Sequence, residues 1–372
     1  MKKTLYVDSE TLQRFTTDVF AGAGVPKEEA KMCAEVLIAA DKRGIDSHGI
    51  NRLVPIYYNR IKEGILNPIT HIEVVKEGPA TAVLDGHDGM GHVIAQRAMQ
   101  MAIDKARIYG LGMVAVRNSS HYGIAGYYGL MAEQQGMIGI SGTNARPSIA
   151  PTFGVENMLG TNPLSFVMPS DEAFPFFLDC ATSVIQRGKI EYYARQGKDI
   201  PDGVVIGHDG KTLTRSQEIV EAFSRGAAAL APLGGVGEDN GGYKGYGYAT
   251  VVEILSAALQ GGAFLQMLTG MRDGKKVPYN LGHFFMAINI ASFTDLEEFK
   301  KSTGDILRGL RESKVAPGSE RIFTAGEKEY LVALEREKSG IPVNETLQKE
   351  IKQLIGELEL KGYDELLRKI EG

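Results

Sequence analysis

The chain has 372 residues, with 41 Lys and Arg against 46 Asp and Glu, so it carries a formal net charge of −5. Such a surface does not attract phosphodiester backbones, and no local basic stripe offsets it, which excludes a nucleic-acid partner. Hydrophobic residues at 43% and charged residues at 23% exclude a disordered chain, while the 45 glycines cluster instead of recurring every third position, which excludes collagen.

The opening Met1-Lys2-Lys3 is followed by no apolar stretch, so a signal peptide is not expected. No apolar run approaches the ~20 residues of a membrane helix. Helices are expected over 9–23 and 26–43. In the second, Pro26 opens the first turn, Glu28 and Glu29 suit the helix dipole, and Cys33, Val36, Leu37 and Ala40 mark one apolar face. A polar loop, Asp46-Ser47-His48-Gly49, leads into a further helix over 50–62. Extended segments are expected over 66–84. The pattern then alternates: helix 96–109, buried strand 112–117, helix 124–135, strand 137–141, and strands 164–168 and 176–178. Helices follow over 218–231, 246–260 and 296–312, with a strand over 284–290 and a charged amphipathic helical tail over 326–372.

That alternation predicts an α/β protein. At this length more than one core is expected, since single cores stop growing at about 250 to 300 residues. The expected division is a helical N-terminal segment over 1–75, a central alternating α/β domain over 76–295, and a helical C-terminal segment over 296–372 that packs with the first. Cys33 and Cys180 fit neither a disulfide framework nor a CxxC site, and the expected compartment is the cytoplasm.

The common nucleotide motifs fail. Gly22-Ala23-Gly24 lacks a third glycine and a preceding strand, and Tyr243 interrupts the one stretch that resembles a Walker loop. His87 and His92 with Asp85 and Asp88 read as a polar glycine-rich turn, so no metal is expected.

Three constellations carry chemistry. In the first, a helix starting near Ser47 would place His48 and Arg52 four residues apart on one face. An imidazole to exchange a hydroxyl proton and a guanidinium to hold a carboxylate suit a 2-hydroxy or 2-oxo acid. The alternative is Ser47 as an N-cap, with His48 and Arg52 solvated on a surface helix. In the second, His121 follows a buried strand, where α/β folds bind ligands, and is either an acid/base group or a histidine bonded within its loop. The third has glycine at 234, 235, 237, 241, 242, 245 and 247, with Lys244 among them and a helix following. It reads as a phosphate cradle or as a flexible linker. From these residues alone a phosphate-binding transferase or a non-enzymatic scaffold also stays open.

Taken together, these segments resemble the malate/L-lactate dehydrogenase family of the non-Rossmann type, whose relatives include sulfolactate and ureidoglycolate dehydrogenases and some 2-oxo-acid and cyclic-imine reductases. The resemblance runs from about residue 8 to 326. It rests on Arg43-Gly-Ile-Asp-Ser-His48-Gly-Ile-Asn-Arg52, Arg117-Asn-Ser-Ser-His121-Tyr-Gly123, Gly160-Thr-Asn-Pro163, Leu178-Asp-Cys-Ala-Thr182, Arg187-Gly-Lys189, Ile200-Pro-Asp-Gly203 and Tyr243-Lys-Gly-Tyr-Gly247, in that order.

It implies a non-Rossmann NAD(P)-binding fold with a large mixed sheet, and a homodimer acting on a small 2-hydroxy or 2-oxo acid, malate or L-lactate first. It further implies His48 and His121 as the catalytic histidines, Ser47 beside His48, and Asp202 as a charge partner orienting it. Arg52 and Thr161 fall on the substrate. Ser141, Asp179, Cys180, Ala181, Thr182 and Lys244 fall on NAD or NADP, with Pro317, Gly318, Ser319 and Glu320 towards its adenosine end. One departure is Tyr243, where the family commonly has histidine, and it bears on cofactor preference.

Overall fold

The computed structural model describes residues 4–371. β1 (Leu5–Val7) leads into α1 (Ser9–Gly22), whose N-cap Asp8 accepts the Thr11 N–H at 2.7 Å. α2 (Lys27–Lys42) buries Cys33, Val36, Leu37 and Ala40, the stripe read from their spacing. The helix expected over 50–62 is of three kinds: a 3₁₀ turn (Ile50–Arg52), a π-helical stretch (Leu53–Tyr58) and α3 (Asn59–Lys62). Pro55 lies within the π stretch and has no N–H for the ladder, and the Asn59 N–H reaches back five residues to the Val54 carbonyl.

The central part alternates. β2 (Glu73–Glu77), β3 (Thr81–Asp85), α4 (Gly91–Tyr109), β4 (Leu111–Ser119), α5 (Gly126–Glu133) and β5 (Met137–Thr143) come first. β6 (Leu164–Met168) and β7 (Phe176–Cys180) follow, then α6 (Arg187–Arg195), β8 (Val205–Gly207), α7 (Ser216–Ser224), β9 (Ala228–Leu230) and α8 (Gly242–Ala257). A small hairpin of β10 (Met271–Arg272) and β11 (Lys275–Lys276) precedes β12 (Leu281–Asn289). Seven strands form one mixed sheet in the order β2-β3-β4-β12-β5-β6-β7. β3 and β4 run parallel across the α4 crossover, and the other neighbours are antiparallel. The helix expected over 218–231 stops at Ser224, because Gly226 takes φ +64° and the chain turns back into β9 beside β8.

α9 (Leu296–Glu312) lies against the β6–β7 end of the sheet, where Arg308 pairs with Asp171 at 2.9 Å. The tail then forms α10 (Glu327–Ser339), β13 (Ile341–Val343), α11 (Glu345–Glu357) and α12 (Asp364–Glu371). β13 was not expected. It pairs antiparallel with β1, Leu5 opposite Val343, and joins the two chain ends.

Three large cores follow from this order among the described residues. The first packs Leu12, Phe15, Leu37 and Tyr57 against Ile351 and Leu354, so N- and C-terminal residues share it. The second lies between α4 and the sheet, around Met99, Val114, Val116 and Phe285. The third holds α6, α7 and α8 together through Ile190, Ile219 and Ala249. Each buried Leu, Ile or Phe contributes about 1.5–3 kcal/mol, so these cores fix the frame on which the polar loops hang.

Candidate active site

The His48 loop is shaped from both sides. Its turn is closed by the His48 N–H bonding the Ile45 carbonyl at 2.9 Å. Asp41, buried near the end of α2, accepts the Ile50 N–H at 2.8 Å. A Cβ at Gly49 would stand 1.8 Å from Asp41 Oδ1, so glycine alone lets the loop fold onto this carboxyl group. Burial pushes the Asp41 carboxyl up to about 8. From the other side Arg336 of α10 donates to the Asp41 main-chain carbonyl and, with both terminal nitrogens, to the Asp46 carboxylate.

This arrangement corrects the shared helix face expected for His48 and Arg52. The helix begins at Ile50, because residues 45–48 are committed to the turn. The two side chains meet through Ser47 instead. Arg52 Nε donates to the Ser47 carbonyl, and Ser47 Oγ lies 2.9 Å from His48 Nδ1, so Ser47 is not an N-cap. Burial, then the Arg52 guanidinium, lowers His48 to about 4 and keeps its ring neutral at physiological pH.

The His121 loop follows β4 and is braced by the 85–91 turn. Asp85 accepts from Arg117 Nε and Asn118 Nδ2, both at 2.8 Å, while Ser120 Oγ donates to the Gly89 carbonyl and accepts the Gly91 N–H. Among the described residues no group of three His, Cys, Asp or Glu is placed to hold a metal ion. The His121 ring lies 5.9 Å from that of His48 and within 18° of parallel. Tyr57, from the π stretch, places its hydroxyl on His121 Nδ1. Burial, then the nearby His48, His92, Arg60 and Arg52, holds His121 well below the usual imidazole range.

The residues expected around the cofactor join an arc of local bonds between α5, the β6–β7 hairpin and the loop after it. Buried Ser141 donates to the Ala125 carbonyl and Asp179 accepts the Gly126 N–H, each at 2.7 Å, so both grip the start of α5. Burial raises Asp179 to about 6. Cys180 sits opposite Leu164 in the β6–β7 ladder, with Ala181 next along the chain. Thr182 donates through its N–H to the Thr161 carbonyl at 2.9 Å, and the Leu233 N–H bonds the Thr182 carbonyl at 2.8 Å. That last bond ties the arc to the glycine-rich loop.

The loop itself wraps the first turn of α8. A Cβ on Gly242 would lie 2.1 Å from the Gly235 carbonyl oxygen, and one on Gly245 would lie 2.2 Å from that of Leu233. Lys244 is exposed there, its Nζ 5.7 Å from the Tyr243 ring. Bare backbone, a lysine and the N-terminus of a 16-residue helix fit the pyrophosphate of a dinucleotide. Pro317, Gly318, Ser319 and Glu320 lie in an exposed turn that leads back to β7, where the Ala325 carbonyl accepts the Phe177 N–H at 3.2 Å.

Asp202 does not join this group within the chain. It is exposed in the loop before β8 and its carboxylate caps the Gly203 N–H at 2.9 Å, while His48 is oriented by Ser47. Sequence reasoning missed Asp41, Tyr57 and Arg336, which hold the two histidine loops.

A family model described as malate/L-lactate dehydrogenase matches residues 7–352. The chain belongs to the malate/L-lactate dehydrogenase family. It is 46% identical over 358 residues to the malate dehydrogenase of Pyrococcus abyssi, covering 96% of each chain. With the L-sulfolactate dehydrogenase of Methanocaldococcus jannaschii it shares 39% identity, over 95% of this chain and 98% of that one. The crystal structure of malate dehydrogenase from Entamoeba histolytica matches it with a TM-score of 0.93 at 45% identity, over 97% of this chain and 99% of that chain. The protein is therefore an oxidoreductase, and its family implies a nicotinamide cofactor and a small hydroxy- or oxo-acid substrate. Among the described residues no helix is long and apolar enough to cross a membrane.

Proposed function

We propose that this member of the family is an NAD(P)-dependent malate dehydrogenase, interconverting malate and oxaloacetate. The observation that carries the reading is the pair of near-parallel imidazoles, 5.9 Å apart, with Arg52 tied to the loop that bears His48. Arg52 offers a planar fork for the C1 carboxylate, and Thr161, bonded to Thr182, lies on the same arc. The imidazole pair exchanges the hydroxyl proton, a role worth typically 10²–10⁴ in rate. Lys244 and the α8 N-terminus hold the cofactor's pyrophosphate, Ser141 and residues 179–182 its nicotinamide half, and residues 317–320 its adenosine end. When bound, the nicotinamide exchanges hydride with C2.

Arg60 favours a substrate with a second anionic group. Its guanidinium lies over the Tyr279 ring, 4.2 Å from the centroid, and it is one of the cations acting on His121. That supports a diacid, or a sulfonate in its place, over lactate. The exposed face of α8, with Val251 and Ile254 beside Phe264 and Met267, supports a homodimer covering these side chains. The compartment proposed is the cytoplasm.

The test mixes the protein with NADH or NADPH and oxaloacetate, sulfopyruvate or pyruvate, and follows loss of the reduced cofactor's absorbance. The highest kcat/KM is expected for oxaloacetate, and the two cofactor arms assign NAD or NADP. Preference for pyruvate removes the diacid reading, and no turnover with any acid rejects the proposal. Sedimentation at micromolar concentration tests the dimer, which a purely monomeric boundary overturns.

A further inference from the structure

The proton on a histidine is set by what its two ring nitrogens meet, and around His121 the donors and acceptors can be counted. Nδ1 faces two groups. One is the Gly123 N–H, which can only donate and points at Nδ1 from 3.4 Å. The other is the Tyr57 hydroxyl, 2.5 Å from Nδ1. Tyr57 is fully buried, and its oxygen is also within reach of the Gly123 N–H. If His121 carried its proton on Nδ1, two N–H groups would crowd one nitrogen and one phenol oxygen. The phenol O–H would then have no acceptor among the described residues, at a cost of about 1–3 kcal/mol for a buried donor. With Nδ1 as a lone pair both groups that face it are satisfied: the phenol gives its hydrogen to Nδ1, the Gly123 N–H bonds the same nitrogen or the phenol oxygen, and the proton sits on Nε2, left for a substrate oxygen.

We propose that Tyr57 is a positioning residue that holds His121 in the Nε2–H form, so that His121 meets the substrate's C2 oxygen as a hydrogen-bond donor while His48 exchanges the proton. This rests on the dehydrogenase reading of the site. In oxidation of the hydroxy acid, the C2–H bond breaks and its electron pair leaves as hydride to the oxidised nicotinamide. The O–H proton goes to a His48 ring nitrogen, the C2–O bond becomes a carbonyl, and the His121 Nε2–H stays where it is. Reduction is the reverse.

The surroundings agree with a neutral donor. Cations at Arg52 and Arg60, the His48 and His92 rings, and burial all oppose an imidazolium at His121. Burial and the Cys33 thiol beside it keep the Tyr57 phenol protonated, against the weaker pull of Arg60 and Arg52. A neutral histidine used as an electrophile has precedent in enzymes that polarise a carbonyl.

The experiment has two arms. In the first, long-range ¹⁵N–¹H NMR of the ring-labelled, cofactor-free protein reads the tautomer directly, whatever the substrate. His121 is expected with a lone-pair Nδ1 and a protonated Nε2, and Tyr57→Phe should give a mixture of both forms. A protonated Nδ1 in the unsubstituted chain overturns the proposal, as does a Tyr57→Phe spectrum identical to it. In the second arm, His121→Gln keeps an N–H donor near the Nε2 position and should retain activity within about tenfold, whereas His48→Gln should lose 10²–10⁴. Tyr57→Phe should lower kcat several-fold with KM nearly unchanged. The reverse order of the two glutamine variants overturns the division of labour. Absence of turnover in the unsubstituted protein would overturn the dehydrogenase reading and leave the NMR arm standing.

Discussion

Arg336 on α10 holds Asp46 across 290 positions of sequence, with Nη2 3.0 Å from Asp46 Oδ2 and Nη1 bonded to both Asp46 Oδ1 and the Asp41 carbonyl. The side chain of Arg336 is 13% exposed and that of Asp46 41%, so this fork is only partly shielded from water. It ties the loop of His48 to a helix from the far end of the chain.

Arg336→Ala is therefore expected to lower stability by about 1–3 kcal/mol and kcat by tenfold or more, because the loop loses three charge-assisted bonds. Arg336→Lys restores the charge without the fork and should recover only part of the loss. Thermal melts and steady-state kinetics of both variants check this. Wild-type values for Arg336→Ala would show that the loop stands without α10.

Two glycines two positions apart on α8 should respond in opposite directions. A Cβ at Gly245 would press on the Leu233 backbone, whereas nothing lies within 4 Å of one at Gly247. Gly245→Ala is expected to cost about 3 kcal/mol and to weaken cofactor binding, since the glycine-rich loop must move off the helix. Gly247→Ala should stabilise by about 0.5–1 kcal/mol by removing backbone freedom inside a helix. Urea midpoints and cofactor titrations distinguish them, and equal effects would contradict the packing.

Asp41 should impose a pH dependence on stability. Its carboxyl rises from 3.8 to about 8 on folding, so the folded chain keeps a proton that the unfolded chain has lost. That contribution is full below about pH 4 and disappears as pH rises through 8. His48, lowered to about 4, and His92 and His283, lowered to about 3, act oppositely: their contribution is full above 6.5 and lost as pH falls. Removing the Asp41 contribution should make the slope of unfolding free energy against pH between 5 and 8 more positive in Asp41→Asn than in the unsubstituted chain. Superimposable slopes would mean that Asp41 is ionised in the fold.

The acid limb of hydroxy-acid oxidation should lie well below pH 6.5, since His48 stays neutral down to about 4. Arg52→Lys keeps the neighbouring charge, so the limb should hold its place while KM rises tenfold or more for want of the planar fork. Arg52→Gln removes the charge and should move the limb upward. An unchanged KM in Arg52→Lys takes Arg52 off the substrate.

What could be read beforehand depended on how local the cause was. The expected bounds of β6 and α9 match the structure, where Asp295 caps α9 by accepting two N–H groups of its first turn. The loops of His48 and His121 carry their signatures in a few consecutive residues. Asp41, Tyr57 and Arg336 do not: their partners lie 9, 64 and 290 residues away, and no spacing rule connects them. The helix expected over 218–231 failed at Gly226, where backbone conformation outweighed apolar pattern. The helix face proposed for His48 and Arg52 failed because the turn at 45–48 is held by contacts that local spacing does not encode.

The pairing of β1 with β13 and the grip of Arg336 on the His48 loop also set an order of events during synthesis. By the time Asn289 leaves the ribosome every histidine has emerged and all seven strands of the large sheet are available. The loop bearing His48 still lacks its clamp, and β1 its partner, until Arg336 and Val343 follow. A nascent chain stopped between those points carries the seven-stranded sheet and both imidazoles with the loop of His48 unclamped. The loop of His48 gains its clamp, and β1 its partner, only after the whole large sheet has been made.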